Sequence, residues 1–501
     1  VTAEQFPVLI VVTPLIFAFL VNIAGLWNRK LCFPLSLIAL SACLFFAGGI
    51  LDMVITRGTP IHYYLGGWNP PWGIAYFIDH LNAYIATIVA AIALFVAIYS
   101  KRSIEREIPA SKIPQLYTLL LLNVTGLLGI TVTGDLFNLY VLLEVASFSA
   151  YALIAIGEKG ALIASFRYVV MGTIGACLYL LGVGIVYSMT GSLNMVDVSQ
   201  LLPPLYHSKA IHLAFTFFLL GIGIKMALYP LHAWLPDAYT RAPSAISALM
   251  APTMTKVGCY VLIRIMFFVF EPRFSIAYIP VTAILGWMAV IALIVGSIYA
   301  IAQDDLKRML AYSTVAQIGY IVLGIALANK TALIGSLLHI LAEAFTKGCL
   351  FLIAGAIMYK LGTRTIGQFK NLFWKMPFTM IAFVIAALSM IGIPPTCGFF
   401  SKLYLLLGAV EAKQWVFVAA LLISVFLNIA YFFNVIKRAF FGTSEPAYAQ
   451  DGGVREGIAL DEAPLSMLIP IWIMAIGIVL LGIFSGKIIT TVLQYAVPMG
   501  L

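Results

Sequence analysis

The sequence predicts an all-α, polytopic membrane protein of about fourteen transmembrane helices. Three observations carry that prediction. First, 62% of the 501 residues are apolar, only 10% are charged, and the mean hydropathy is +1.04. Soluble domains carry about 45–50% apolar and about 25% charged residues. Second, the apolar residues fall into runs of about 20, the length a bilayer core requires of a helix. Third, two of these runs carry internal prolines, which interrupt a helix by removing a backbone donor and crowding the preceding turn. The same composition excludes a soluble enzyme, a disordered chain, a secreted disulfide scaffold and a nucleic-acid binder.

The runs lie near 6–26, 31–55, 77–99, 115–133, 136–156, 161–189, 210–235, 243–270, 278–302, 308–328, 332–359, 377–407, 414–440 and 465–492. They are numbered here as spans 1 to 14. The longest stretches between them are 56–76 (rich in Gly, Pro and Trp), 190–209 and the polar 441–464. None is long enough for a soluble domain, so 1–501 reads as a single membrane domain. Span 1 follows Val1-Thr-Ala-Glu4, which has no basic region, and reads as a retained helix rather than a signal peptide. Cys32, Cys43, Cys177, Cys259, Cys349 and Cys397 show no metal-binding or redox spacing and read as small apolar residues packed between helices.

The net charge of +9 has a direction. Loops that follow odd-numbered spans hold seventeen Lys and Arg, among them Arg29, Lys30, Lys101, Arg102, Arg241, Arg364 and Arg455. Loops that follow even-numbered spans hold five: Arg57, Lys209, Arg273, Lys330 and Lys413. Positive loops stay inside, so the odd loops are expected in the cytoplasm and both termini outside. Seven basic residues remain within or at the ends of spans: Arg167, Lys225, Lys256, Arg264, Lys347, Lys402 and Lys487. Of the 20 acids, Glu144 and Glu343 fall well inside spans. Each such charge costs a few kcal/mol on insertion scales, which marks them as functional candidates.

Span 7 carries Pro230 and Pro236, and span 12 carries Pro394 and Pro395. Lys225 precedes the first break, and Lys402 follows the second. The broken spans are five apart, an odd number. Units of five helices over 115–270 (spans 4–8) and 278–440 (spans 9–13) would therefore be inverted repeats with paired discontinuous helices, a transporter signature.

Several stretches resemble one family: Thr133-Gly-Asp-Leu-Phe-Asn-Leu-Tyr-Val-Leu-Leu-Glu144, Lys225-Met-Ala-Leu-Tyr-Pro-Leu-His-Ala-Trp-Leu-Pro-Asp-Ala238, Thr255-Lys-Val-Gly-Cys-Tyr260, Asp305-Leu-Lys-Arg-Met-Leu-Ala-Tyr-Ser-Thr-Val-Ala-Gln-Ile-Gly-Tyr320 and Gly392-Ile-Pro-Pro. The chain resembles, over essentially its whole length, the antiporter-like subunits of Mrp-type sodium/proton antiporters, of respiratory complex I and of membrane-bound hydrogenases. The segment ending at Glu144 is most similar to the Mrp D subunit and its hydrogenase relatives. The chain ends just after span 14, unlike the longest complex I subunit. Lys402 matches the D-type pattern, whereas Glu343 stands where many relatives carry a second histidine.

The resemblance implies that Glu144 and Lys225 face one another, that Lys256 is a central lysine bridging two halves, and that Lys402 is the terminal titrating group. Chemistry agrees: a carboxylate beside a buried lysine favours its charged form, and a change in that pairing loads or releases a proton. A static salt bridge is the other reading of the pair. His339 and Glu343 are four apart and share a helix face. They suit a relay, or two ligands of a metal for which no third is evident. Lys347 continues that face, as a relay member or as a side chain reaching to the interface. His232 and Asp237 stand in the broken region, either hydrating it or making structural bonds. Arg167 and Arg264 read as structural charges, and Asp305-Leu-Lys307-Arg308 as a structural loop.

The expected function is proton or cation translocation along Glu144, Lys225, Lys256, His339/Glu343 and Lys402. The rival is a non-translocating structural or coupling subunit of a complex I-like redox enzyme. No cofactor or metal is expected, so redox catalysis would belong to partner subunits. The expected partners are other membrane subunits, H+ and possibly Na+, and the lipid bilayer, with no nucleic acid, in a prokaryotic-type cytoplasmic membrane.

Overall fold

Lipid offers the backbone no hydrogen bonds, so an apolar run satisfies itself by closing into a helix. In the computed structural model, which describes residues 3–441, 460–498 and 500–501, that is what the runs do. The first six long helices are α1 (Phe6–Trp27), α2 (Cys32–Arg57), α3 (His80–Glu107), α4 (Ile113–Val132), α5 (Leu136–Ala155) and α6 (Ala161–Thr190). A short α7 (Met195–Leu201) leads to α8 (Lys209–Lys225), α9 (Trp234–Arg241) and α10 (Ser244–Arg264). Then come α11 (Val281–Ile301), α12 (Leu306–Ala326), α13 (Lys330–Leu361), α14 (Pro377–Ile391), α15 (Cys397–Glu411), α16 (Trp415–Phe441) and α17 (Leu465–Ile483).

Among the described residues, twelve helices are long and apolar enough to cross a membrane. The two predicted spans missing from that set are spans 7 and 12, each resolved into two shorter helices, α8/α9 and α14/α15. The helices differ in surroundings. α10, α12 and α13 are buried over almost their whole length, while α1, α2, α6 and α16 keep most of their surface outward. A helix apolar all round belongs in the interior, and the three interior helices carry Lys256, Gln317, His339, Glu343 and Lys347.

Loop contacts define two ends of the bundle. At one end, Ser244 N–H donates to Glu107 (2.8 Å), Glu158 pairs with Arg241 (3.0 Å) and Arg364 (2.6 Å), and Lys307 donates to the Ala242 carbonyl (2.6 Å). Burial works to raise the Glu158 carboxyl, but Arg364 and Arg241 outweigh it and hold the group below its usual range. At the other end, a hairpin of β1 (Ile61–Tyr64) and β2 (Ala75–Ile78) meets the start of α5 through Gly134 N–H to the Ala75 carbonyl (3.0 Å).

One backbone pattern occurs twice, once at each end. Leu136 N–H donates to Leu193 O (2.9 Å) and Met195 N–H to Gly134 O (2.8 Å). Likewise Leu306 N–H donates to Arg364 O (2.9 Å) and Ile366 N–H to Asp304 O (2.7 Å). In both places an aspartate, Asp135 or Asp305, caps the following helix by accepting from a backbone N–H three residues on.

Some expectations need correction. The stretch 56–76 holds most of the hairpin rather than only loop, because Ile61-His-Tyr-Tyr64 and Ala75-Tyr-Phe-Ile78 are β-formers bounded by Gly and Pro. Pro236 does not break span 7. It sits in the first turn of α9, where its missing donor has no intrahelical partner to lose. Cys177 faces outward, unlike the other five cysteines. Most of 441–464, with Arg455, lies outside the described residues.

Candidate functional site

The first break begins at Lys225, the last residue of α8. The chain turns through Ala227, in the left-handed region at φ 58°, and Pro230 before α9 restarts at Trp234. A helix end leaves carbonyls unpaired. Here Ile224 O accepts both from the Ala227 N–H (3.1 Å) and from the Trp234 indole N–H (3.0 Å). That indole stacks on Tyr168, with centroids 3.8 Å apart. The aromatic cap leaves the Lys225 side chain free for other groups. Its Nζ donates to Glu144 (3.0 Å) and to Ser147 (2.8 Å), both on α5. The expected Glu144–Lys225 pair is therefore present, and it is not sealed: the Glu144 side chain keeps 15% exposure.

Between this pair and α10 lies a cavity of about 30 Å³, bordered by Ser147, Lys225, Met254, Val257 and Gly258. A space of that size accommodates water, but most of its wall is apolar. Beyond it stands Lys256, whose Nζ lies 2.6 Å from Glu343 Oε2 and 2.9 Å from the Ala251 carbonyl. Both partners of this second pair are at most 2% exposed. The pair joins α10 to α13, and so links the region of spans 4–8 to that of spans 9–13. Neither its existence nor its dryness was expected from spacing.

His339, Glu343 and Lys347 line one face of α13, as their spacing predicted, but each engages a different neighbour. No hydrogen bond joins His339 to Glu343. The His339 ring is held between Gln317 Oε1 of α12 (3.0 Å) and Ser401 Oγ of α15 (2.9 Å). Lys347 does not reach an interface. It is fully buried and donates to Leu310 O (3.0 Å) and to Ser313. Neither Glu343 carboxylate oxygen nor Gln317 Nε2 makes a hydrogen bond among the described residues; Oε2 meets Lys256 as an ion pair.

The second break runs from Gly392 to Thr396. Gly392, at φ 96°, takes a backbone conformation that side chains disfavour. Here the lysine itself caps the broken helix: Lys402 Nζ reaches back from α15 to Met390 O (2.5 Å) and Ile391 O (3.3 Å). A cation at a helix C-terminus is also favoured by the helix dipole. Asn428 of α16 donates to the same Met390 O (3.3 Å), and the Tyr320 ring lies beneath the ammonium. Since Ser401 adjoins Lys402, the His339 ring touches the turn that carries the terminal lysine.

The remaining candidates fall outside this row. Asp237 pairs with Arg167 (2.7 Å) and Arg308 (3.5 Å). His232 stacks on Tyr229 within the first break. Arg264 forms a two-pronged salt bridge with Asp79 (2.8 and 3.0 Å). Sequence reasoning missed Ser147, Gln317, Ser313, Ser401 and Asn428. They are uncharged, and their signal is polarity inside an apolar run, together with, for Ser313 and Gln317, a place in the stretch Asp305–Tyr320.

Paired interrupted helices, lysines at both breaks and a buried lysine–carboxylate pair between them define an antiporter-like membrane subunit. Residues 133–428 match the family described as NADH:quinone oxidoreductase/Mrp antiporter, TM, and the chain belongs to that family. It is 48% identical over 499 residues to the NADH-quinone oxidoreductase subunit N of Desulforudis audaxviator (strain MP104C), covering 99% of each chain. It is 30% identical over 444 residues to the D subunit of the Na(+)/H(+) antiporter of Bacillus subtilis (strain 168), covering 88% of this chain and 87% of that one. A chain of the Mrp complex from Dietzia sp. DQ12-45-1b matches its structure with a TM-score of 0.87 and 25% identity, covering 99% of this chain and 96% of that one. The protein is thus a multi-pass membrane subunit of the kind found in Mrp- and complex I-type assemblies, alongside other membrane subunits.

Proposed function

We propose that the chain translocates protons, or another small cation, along the row Glu144, Lys225, Lys256, Glu343/His339 and Lys402. The observation that carries this reading is the Lys256–Glu343 pair at 2.6 Å. A buried ion pair is rarely more stabilising than a well-packed apolar pair. Two buried charges joining two halves of a membrane bundle therefore point to a role other than stability. On this reading a proton shared between Glu343 and Lys256 changes which lysine break holds the next one. Lys347 and Ser313 flank the row from α13 and α12 and tune its charge. The orphan Glu343 Oε1 and Gln317 Nε2 supply sites for the water a relay requires.

The row sits in fourteen crossings, with α8/α9 and α14/α15 each crossing as a pair, and in two inverted repeats over 115–270 and 278–440. The duplicated backbone pattern around Asp135 and Asp305, at opposite ends of the bundle, supports that symmetry. The end that gathers Glu158, Arg241 and Arg364 is cytoplasmic, with both termini outside a prokaryotic cytoplasmic membrane. A single cysteine in loop 101–113 of a cysteine-free variant should then resist an impermeant thiol reagent in intact cells. Labelling from outside would overturn the orientation.

The 48% identity to a protein named as a quinone oxidoreductase subunit supports a redox-driven host complex. The second reading, a coupling subunit that moves no ions, is favoured by one observation, the mostly apolar wall between Lys225 and Lys256. Lys225→Ala separates the two. It should leave the complex assembled and abolish ion transport in vesicles, and an assembled variant that pumps normally would sink the translocation reading.

A further inference from the structure

At the bundle end that carries Arg29 and Lys30, the link from α1 to α2, the start of α2, the end of α3 and the start of α4 border a cleft of about 580 Å³ that shares no residue with the lysine row. Its rim holds four cations, Arg29, Lys30, Lys101 and Arg102, and one carboxylate, Glu105. Glu105 is engaged by Arg102 at 3.3 Å. Arg29, Lys30 and Lys101 make no ion pair among the described residues, so the cleft keeps an unbalanced positive rim. Its inner wall is apolar and aromatic: Phe33, Ile104, Ile113 and Tyr117. Lys101 Nζ lies 5.3 Å from the Phe33 ring centroid, which holds the ammonium over the opening.

The turn that leads into α2 is capped by Asn28, whose side chain accepts from the Lys30 N–H at 3.0 Å, so the positive field of the cleft rests on its side chains. Below the cleft, α1 turns outward Ile16, Phe19, Leu20, Ile23 and Leu26, an apolar stripe at helical spacing. Trp27, 84% exposed, closes the stripe at the level where indoles mark the bilayer interface.

We propose that this cleft binds the phosphodiester headgroup of an anionic phospholipid, whose acyl chains lie along the α1 stripe. A free phosphate would match the cations but has no use for the stripe or the interfacial tryptophan. Basic clefts between helices at the membrane surface suit anionic headgroups, and each basic residue there is worth about fivefold in binding.

The test uses the full chain in nanodiscs of phosphatidylcholine doped with phosphatidylglycerol, with retained lipid identified by native mass spectrometry. The parent should retain phosphatidylglycerol preferentially. The triple variant Arg29→Gln, Lys30→Gln, Lys101→Gln should lose at least about tenfold of that preference. A control triple at the opposite end, Arg57→Gln, Lys209→Gln, Arg273→Gln, should keep it. If the test triple assembles poorly, Lys101→Gln alone should lose about fivefold. An unchanged preference in the test variants would overturn the proposal, as it would if an acidic protein segment rather than a lipid covers the cleft. An equal loss in the control triple, or complete displacement of the lipid by millimolar inorganic phosphate, would also overturn it.

Discussion

The two helix breaks solve the same problem with opposite uses of lysine. At the first, an indole N–H closes the end of α8, and Lys225 is released to pair with a carboxylate on the neighbouring helix. At the second, Lys402 closes the end of α14 with its own ammonium. One lysine is therefore held by a titratable partner and the other by carbonyls that cannot titrate. Surroundings differ in the same sense. Glu144 retains some exposure on α5, a helix that turns Phe137, Val141 and Phe148 outward, while His339, Glu343 and Lys347 are buried among polar side chains. Loading from outside the row fits the first region, and transfer within the row fits the second.

The largest effect expected from this contrast is on transport through Lys402. Arginine at 402 still donates to Met390 O and Ile391 O but does not release its proton. Lys402→Arg should assemble and fail to pump in vesicles. If it pumps like the parent, Lys402 only caps its helix, and the two breaks differ in structure alone.

A smaller effect, on stability, separates the two carboxylates. Glu343→Gln leaves Lys256 dry and without a counter-charge, which costs about 3–5 kcal/mol in a buried pair. Glu144→Gln leaves Lys225 with the Ser147 hydroxyl as a remaining partner and removes a less buried carboxylate, so its cost should fall below that figure. Thermal unfolding of both variants in one detergent checks the order. Equal costs, or a larger cost at Glu144, would erase the distinction between an open and a sealed pair.

Much of this was legible before the structure. Long apolar runs can do little in lipid but form helices, so the all-α class and the breaks at Pro230 and Pro394-Pro395 follow from local chemistry. Glu144, Lys225, Lys256, Glu343 and Lys402 stand out because a charge in an apolar run is costly. What stayed hidden was the pairing of Lys256 with Glu343 across helices. Lys256 and Glu343 are far apart in the chain, and no periodicity in either helix says that they meet. The capping role of Lys402 was equally hidden, because it depends on which carbonyls the second break strands. Lys347 looked able to reach an interface only because burial by neighbouring helices cannot be read from one helix's sequence.

The account turns on the Lys256–Glu343 pair carrying protons rather than holding the halves together. Removing one partner confuses the two roles, since an orphaned charge destabilises whatever its function. Replacing both does not, because apolar substitutes of similar volume are commonly neutral or stabilising for a buried pair. The decisive measurement is proton transport by the double variant Lys256→Met, Glu343→Leu in vesicles, alongside its melting temperature and assembly. The prediction is a complex that assembles, melts at or above the parent temperature, and does not pump. A double variant that pumps at the parent rate would contradict a proton path through the pair.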